Sequence, residues 1–164
     1  MIKLFLTDLD GTVTDAAYYV SSHGSITKRF DTRDFHGLSK LHEYDIAGGI
    51  ITSSGDLAID KKMREFPFPM ALYKRVDNKL QFVKQLIVEK GYAWTEVAYI
   101  GDDVNDIELL QAAGVAACPQ DAIKRVMSAI LGRKDGFVTD RCGGHGCVRE
   151  FIDMVIEMNT GASL

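Results

Sequence analysis

The sequence has few of the features that mark secreted, membrane-spanning or nucleic-acid-binding proteins. Its longest apolar runs, such as residues 46–51, are far shorter than the roughly 20 residues that span a bilayer. It has no basic block, and its net charge of −4 comes from 19 basic and 23 acidic residues spread along the chain. The N-terminus lacks the charged, apolar and small-residue succession of a signal peptide. We therefore expect a cytoplasmic protein without a membrane or nucleic-acid partner.

Cysteine is also scarce, and the three present are Cys118, Cys142 and Cys147. Cys142 and Cys147 enclose the sequence Gly-Gly-His-Gly, so a metal site with His145 and a local disulfide both have to be weighed. Structural zinc sites usually draw four ligands from two spaced pairs, and this chain has no second pair. We therefore expect reduced thiols.

The segments of the chain alternate between strand-like and helix-like patterns, and the 164 residues suffice for one core but not for two ordinary domains. The predicted strands cover residues 2–6, 47–52, 71–73, 97–100 and 115–117, and the predicted helices cover residues 35–44, 56–65, 78–90, 106–113, 122–131 and 148–158. Residues 18–20 and 27–30 predict a small β-hairpin after the first strand. The alternation predicts a single α/β domain over residues 1–164, with a doubly wound, mostly parallel sheet and helices on both faces.

Acidic residues follow two of the predicted strands. Asp8 and Asp10 come after the first strand, and Asp102, Asp103 and Asp106 come after the strand at residues 97–100. The carboxyl ends of parallel strands form the ligand-binding edge of such a sheet. Carboxylates crowded there repel one another unless a cation or a shared proton compensates, and an oxygen-only ligand set favours Mg²⁺. Helix capping explains one such aspartate but not all of them.

A carboxylate beside Mg²⁺ can coordinate a phosphate or attack it to form an aspartyl-phosphate. Attack requires a group that protonates the departing alkoxide, and Asp10, two residues after Asp8, is placed for that work. The phosphoryl oxygens also need hydroxyl and cationic donors. Thr52, next to Ser53 at a strand end, and Lys79, at a helix start, are the candidates, although each is a weak signal alone.

Four segments in order resemble the motifs of the haloacid dehalogenase superfamily: residues 8–15 (Asp-Leu-Asp-Gly-Thr-Val-Thr-Asp), Ile51-Thr52, Lys79 and residues 101–106 (Gly-Asp-Asp-Val-Asn-Asp). The match narrows to its small capless phosphatases, the 3-deoxy-D-manno-octulosonate (KDO) 8-phosphate phosphatase-like group. That group includes phosphatases of 9-phosphorylated nonulosonates and the C-terminal domain of animal sialic-acid cytidylyltransferases. Supporting segments lie at residues 30–37, 97–100 and 143–150. The resemblance covers essentially the whole chain.

The resemblance implies a role for each acid. Asp8 is the nucleophile and a metal ligand, and Asp10 is the acid/base that also gives its main-chain oxygen to the metal. Asp102 completes the set of Mg²⁺ ligands, while Asp103 and Asp106 support these ligands without binding the metal. The implied function is a Mg²⁺-dependent phosphomonoesterase that acts on a phosphorylated acidic sugar through an aspartyl-phosphate.

The resemblance also implies that Thr52 and Lys79 hold the phosphoryl group, with Asp106 orienting Lys79. Near them the chain departs from the group: Ser53 stands where a glycine followed by Glu or Arg is common, and Arg75 stands where a glycine is common. We expect Ser53 and Arg75 to contact the substrate. The predicted helix at residues 56–65 carries two lysines and one arginine where arginines are usual, and lysine cannot reproduce a bidentate arginine contact. Which phosphorylated sugar acid is the substrate therefore stays open.

In this group the hairpin builds a homotetramer in which neighbouring subunits cover each other's active sites. Residues 18–30 are the matching segment here, and the glycine-rich residues 143–146 with Arg149 are expected near a neighbour's site, where Arg149 contacts substrate. Two other interpretations stay open. One is a catalytically idle homologue that serves as an oligomerisation module, and the other is a receiver-like phosphoacceptor, which has no use for Asp10 as an acid/base.

Overall fold

The computed structural model describes residues 1–55, 57–66 and 68–162. The strands are β1 (Leu4–Thr7), β2 (Tyr19–Val20), β3 (Ile26–Thr27), β4 (Ala47–Ile51), β5 (Met70–Tyr73), β6 (Val97–Ile100), β7 (Val115–Cys118) and β8 (Gly136–Val138). The α-helices are α1 (Thr32–Glu43), α2 (Ala58–Arg64), α3 (Lys79–Lys90), α4 (Ile107–Ala112), α5 (Lys124–Leu131) and α6 (Cys147–Thr160). Six strands form a sheet in the order β5-β4-β1-β6-β7-β8, and β2 and β3 pair separately as an antiparallel hairpin.

All neighbouring strands of the six-stranded sheet run parallel, with β1 near the middle between β4 and β6. Successive residues of β1 point to opposite faces, so Phe5 joins one buried cluster while Leu4 and Leu6 join the other. Helices α1 and α6 pack over the first face. Helices α3, α4 and α5 pack over the second. Burial on both faces explains why the strands are continuously apolar, and it confirms the predicted doubly wound fold.

The sequence-based boundaries differ from the observed ones in several places. Helix α1 begins at Thr32 rather than residue 35, because the Asp31 carboxylate accepts a hydrogen bond from Arg33 N at 2.9 Å and caps the helix. Helix α5 begins at Lys124 rather than residue 122. Strand β8 was not predicted, because its three half-buried residues at the sheet edge form too short an apolar run. The predicted start of α2 at Asp56 lies outside the described residues.

None of the helices in the described part of the chain combines the length and apolarity needed to cross a membrane. The cysteines are free thiols, with Cys118 and Cys147 buried and Cys142 half-buried. The cytoplasmic location expected from the sequence stays a prediction.

Candidate active site

The ends of β1 and β6 bring the first and last acidic motifs together. Parallel pairing aligns Thr7 with Ile100, and Asp8 N continues the ladder with a 2.9 Å hydrogen bond to Ile100 O. The chain then turns at Gly11, whose φ of +94° favours glycine. A Cβ on Gly11 would lie 2.1 Å from Asp102 Oδ2, so only glycine lets these two loops approach this closely.

Three carboxylates meet at this edge. Asp8, Asp102 and Asp106 each offer one oxygen, and the three oxygens lie within 4.8 Å of one another. Asp106 is fully buried and Asp8 is 6% exposed. An all-oxygen set of this size is what a hard divalent cation such as Mg²⁺ prefers.

Lys79, the first residue of α3, places its ammonium among these acids. Its Nζ donates to Asp8 Oδ1 at 2.5 Å and to Asp106 Oδ1 at 2.6 Å, and its side chain is 1% exposed. The Tyr99 hydroxyl, from β6, donates to the same Asp106 Oδ1 at 2.5 Å and accepts a 3.3 Å bond from Lys79. Asn78 caps the helix by accepting from Gln81 N, which fixes where Lys79 enters the site.

Asp106 also shapes the loop after β6. Its Oδ2 accepts hydrogen bonds from the main-chain N–H groups of Asp102 and Asp103, both at 3.1 Å. Both of its oxygens are therefore committed to the protein. Asp103 is exposed and caps the short 3-10 helix Val104–Asp106 by accepting from Val104 N at 2.6 Å. For Asp103, helix capping is the role that the structure shows.

The acids are electrostatically crowded without a cation. Burial raises the pKa of Asp8 to about 8, with nearby Asp106 adding to the rise and Lys79 opposing it. Burial also raises the pKa of Asp102 to about 7, against the stabilising 2.9 Å hydrogen bond from Thr12 Oγ1. Burial alone would lower the pKa of Lys79, but contact with Asp8 and Asp106 raises it. A divalent cation would favour the ionised form of both carboxylates.

Asp10 has its hydrogen-bond partners outside this cluster. Its Oδ1 accepts from Lys28 Nζ at 2.6 Å and from Thr14 Oγ1 at 3.3 Å. Lys28 lies just beyond β3, and its side chain is 1% exposed. Lys28 is not among the site residues predicted from the sequence, since a single lysine in a hairpin gives no local sign of burial.

Thr52 and Arg75 lie at the same edge of the sheet. The register pairs Thr7 with Ile50, so Thr52 follows β4 at the level just beyond Asp8, and it is 2% exposed. Its Oγ1 accepts from Ser54 N at 3.0 Å, which leaves the hydroxyl proton available for donation. Ser53 is exposed beside it.

Arg75 has a left-handed backbone, with a φ of +58°, at the position where the resemblance expected glycine. Its guanidinium lies against Gly55, where an added Cβ would be 2.9 Å from Nε. The structure therefore places the positively charged side chain of Arg75 at the edge of the sheet near Thr52.

Arg149 is placed differently. It lies in the first turn of α6, where its Nε bonds Asp153 Oδ2 at 2.7 Å and its N–H donates to Asp34 Oδ1 at 2.8 Å. No contact in the described part of the chain joins Arg149 to the acid cluster. The glycine-rich residues before it pack on their own subunit: Gly144 N donates to Thr12 O at 2.8 Å. Within one chain this segment supports the Asp8 loop, and any contact with a neighbour's site stays a prediction.

Comparison with known proteins gives a consistent result. A sequence profile of haloacid dehalogenase-like hydrolases matches residues 40–131. The 3-deoxy-D-manno-octulosonate 8-phosphate phosphatase KdsC of Escherichia coli (strain K12) is 30% identical over 155 residues, which cover 94% of this chain and 79% of that protein. N-acylneuraminate cytidylyltransferase A of Danio rerio is 28% identical over 95% of this chain, and the chain spans only 35% of its length.

Two solved structures share the fold closely. The 3-deoxy-D-manno-octulosonate 8-phosphate phosphatase of Moraxella catarrhalis, crystallised with magnesium, phosphate and KDO, superposes with a TM-score of 0.86 at 28% identity, covering 95% of this chain and 86% of that one. The cobalt-bound phosphatase of Haemophilus influenzae gives 0.85 at 27% identity, covering 99% of this chain and 91% of that one. These matches confirm the fold class and the resemblance that the ordered motifs predicted.

Proposed function

Because the chain belongs to the haloacid dehalogenase-like hydrolases, we propose that it is a Mg²⁺-dependent phosphomonoesterase acting on a phosphorylated acidic sugar. The enzyme class predicted from the sequence, a phosphatase, is confirmed by its relatives. The observation that carries the finer proposal is the buried Asp8 carboxylate, held by Lys79 beside two further acids at a strand end. A structural ion pair has no need of such crowding, whereas phosphoryl transfer uses it.

The residues present suit a magnesium ion. We assign Asp8, Asp102 and the main-chain oxygen of Asp10 as ligands, and a bound Mg²⁺ would neutralise charge on the acids and on the phosphoryl oxygens. Asp106 belongs to the same oxygen cluster, but its oxygens already accept from Lys79, Tyr99 and two main-chain N–H groups. We therefore assign Asp106 to positioning Lys79 rather than to the metal.

The proposed reaction has two steps. An Asp8 oxygen attacks phosphorus while Asp10 gives its proton to the departing alkoxide, which forms an aspartyl-phosphate. Lys79 and Thr52 donate to the phosphoryl oxygens as charge builds there. Water then attacks phosphorus, Asp10 takes the proton from water, and Asp8 is released with inorganic phosphate.

We further propose 3-deoxy-D-manno-octulosonate 8-phosphate or a related nonulosonate 9-phosphate as substrate, hydrolysed by one domain spanning residues 1–164. The relatives named above support this class. Arg75 and Ser53, at the rim beyond Thr52, can contact the acidic sugar from the same chain. Arg149 contacts Asp153 and Asp34 rather than the acid cluster of its own chain, so we assign its substrate contact to a neighbouring subunit.

A homotetramer built on the hairpin would supply that neighbour. Four apolar residues of the hairpin are between 52% and 66% exposed: Tyr18, Tyr19, Val20 and Ile26. An isolated hairpin with an apolar surface of this kind is marginal unless something covers it. Light scattering after size exclusion measures the assembly directly: a tetramer is expected, and a monomer would contradict it.

The test of the function is kcat/KM across a sugar-phosphate panel, with Mg²⁺ and with EDTA. We expect eight- and nine-carbon keto-acid phosphates to exceed hexose phosphates and EDTA to abolish turnover. A second candidate, an idle oligomerisation module, draws on the cytidylyltransferase relative, of which this chain matches about a third. Absence of turnover on the whole panel, together with a stable tetramer, would favour that candidate.

A further inference from the structure

The hairpin directs one charged side chain into the protein rather than into solvent. Lys28, next to β3, is 1% exposed at its side chain, and its Nζ lies 2.6 Å from Asp10 Oδ1. The ring of Tyr18, from the other arm of the hairpin, lies over this ammonium, 4.7 Å from Nζ to the ring centroid. The hairpin thus ends in a buried cation that contacts the proposed acid/base.

The two oxygens of Asp10 differ in their surroundings. Oδ1 accepts from both Lys28 and Thr14 Oγ1. Oδ2 has no hydrogen-bond partner among the described residues, and it is not one of the buried unpartnered atoms. Since the side chain is 27% exposed, Oδ2 is the oxygen left open to a reacting group.

Stability gives no sufficient reason for this arrangement. Burying an ammonium and a carboxylate costs desolvation free energy, and an apolar side chain of similar volume often serves a protein core equally well. What the pair does supply is orientation, because two donors on one oxygen hold the Asp10 carboxylate in a single direction.

We propose that Lys28 is a positioning residue that anchors Asp10 through Oδ1 so that Oδ2 can transfer the proton to the departing alkoxide. In that step the Asp8–phosphorus bond forms, the bond from phosphorus to the alkoxide oxygen breaks, and the proton moves from Asp10 Oδ2 to that oxygen. Lys28 itself exchanges no proton. The inference rests on the proposed phosphatase function.

The experiment compares two leaving groups in Lys28→Met. The sugar alkoxide of 3-deoxy-D-manno-octulosonate 8-phosphate needs the proton, whereas the nitrophenolate of p-nitrophenyl phosphate departs without it. Because general acid catalysis contributes roughly 10²–10⁴-fold, we expect kcat/KM to fall by about a hundredfold or more on the sugar phosphate. On the aryl phosphate we expect a fall of less than about fivefold, since the acid contributes little there.

Two controls accompany this variant. Lys28→Arg keeps a cationic donor and should retain more of the sugar-phosphate activity than Lys28→Met. Lys90→Met makes the same change at an exposed lysine, the last residue of α3, and should behave as the wild type on both substrates. Thermal unfolding of each variant establishes that the comparison is made on folded protein.

Equal losses on both substrates would show a general structural role and overturn the proposal, as would no loss on either. If Lys28→Met does not fold, Thr14→Val removes the other donor to Oδ1. The same preferential loss on the sugar phosphate is expected there, at smaller size, and equal losses would again overturn the proposal.

Failure of the phosphatase function itself is recognisable separately, because wild-type protein would then hydrolyse neither compound. A crystal structure of Lys28→Met, or of Thr14→Val if the former does not fold, judges the positional claim in that event. A rotated or disordered Asp10 carboxylate supports it, and an unchanged Asp10 side chain contradicts it.

Discussion

Two buried carboxylates of this chain, Asp8 and Asp34, have similar burial and opposite surroundings. Asp34, in the first turn of α1, is fully buried and accepts from Gly146 N at 3.2 Å and from Arg149 N at 2.8 Å. It thereby fastens α1 to the start of α6. Asp8 has Lys79 as its ionic partner and two more acids beside it.

Burial raises the pKa of both groups, to about 6 for Asp34 and to about 8 for Asp8. A raised pKa therefore does not separate the structural acid from the proposed catalytic one. The two acids differ in the groups next to them. Main-chain N–H donors contact Asp34, whereas further carboxylates, which repel that of Asp8, lie beside Asp8. A bound cation would offset that repulsion, as we propose for Asp8.

The largest expected effect is that of Asp8→Asn on turnover. Removing a nucleophile costs several orders of magnitude in other hydrolases, so we expect kcat to fall at least about a thousandfold. The amide relieves charge repulsion, so the melting temperature without metal should stay the same or rise. Steady-state kinetics and thermal unfolding check both parts; full activity would remove Asp8 from the mechanism.

Asp34→Ala should show the reverse pattern. Two buried N–H groups lose their acceptor, at about 1–3 kcal/mol each, so we expect the free energy of unfolding to drop by about 2–6 kcal/mol. The kcat of the folded fraction should change less than about threefold. Asp140→Ala, at an exposed position, is the control for denaturant unfolding. A thousandfold loss of kcat in Asp34→Ala would erase the distinction between the two acids.

The stability of the protein should depend on both magnesium and pH. Without metal, the folded protein retains protons on Asp8 and Asp102 up to pH values of about 8 and 7, which the unfolded chain releases near its ordinary pKa. That contribution to stability is complete below about pH 4 and is lost as the pH rises through 7 to 8. If Asp8 and Asp102 hold Mg²⁺ as we propose, the ion replaces these protons, so its stabilisation should grow between pH 5 and pH 8, reaching about 2.7 kcal/mol at a hundred times Kd.

Thermal unfolding with Mg²⁺ or EDTA across this range measures the effect. Asp8→Asn should reduce the gain from Mg²⁺. Asp34→Asn should instead alter only the metal-independent part of the curve between about pH 4 and pH 6, which follows from the pKa of Asp34. A gain from Mg²⁺ that is equal at pH 5 and pH 8 would contradict this account.

The smallest expected effect is that of Tyr99→Phe. It removes the hydroxyl that donates to Asp106, while Lys79 still contacts the same oxygen. We expect a loss of about 1 kcal/mol in stability and a fall of severalfold in kcat. Tyr92→Phe, away from the acid cluster, should change neither quantity. A fall in kcat larger than that of Asp8→Asn would mean that Tyr99 takes part directly in the chemistry.

Most of the fold and the acid cluster could be predicted from local sequence patterns. The apolar runs that end at Asp8 and Asp102 predicted both strands and the edge where they meet, because strand direction and the parallel sheet follow from alternation with helices. Contacts between side chains far apart in the sequence could not be predicted in this way. Lys28 and Tyr99 resemble a solvated lysine and a core aromatic in the sequence, and only the tertiary structure brings them against Asp10 and Asp106.

The most direct test of the central claim is to trap the covalent intermediate. Protein mixed with Mg²⁺ and sugar phosphate, quenched within one turnover and reduced with borohydride, should carry homoserine at position 8 in a peptide mass spectrum, because borohydride reduces an acyl phosphate. Asp8→Asn treated in the same way should carry none. Modification at another residue, or turnover with no trapped adduct under single-turnover conditions, would contradict the assignment of Asp8 as the nucleophile.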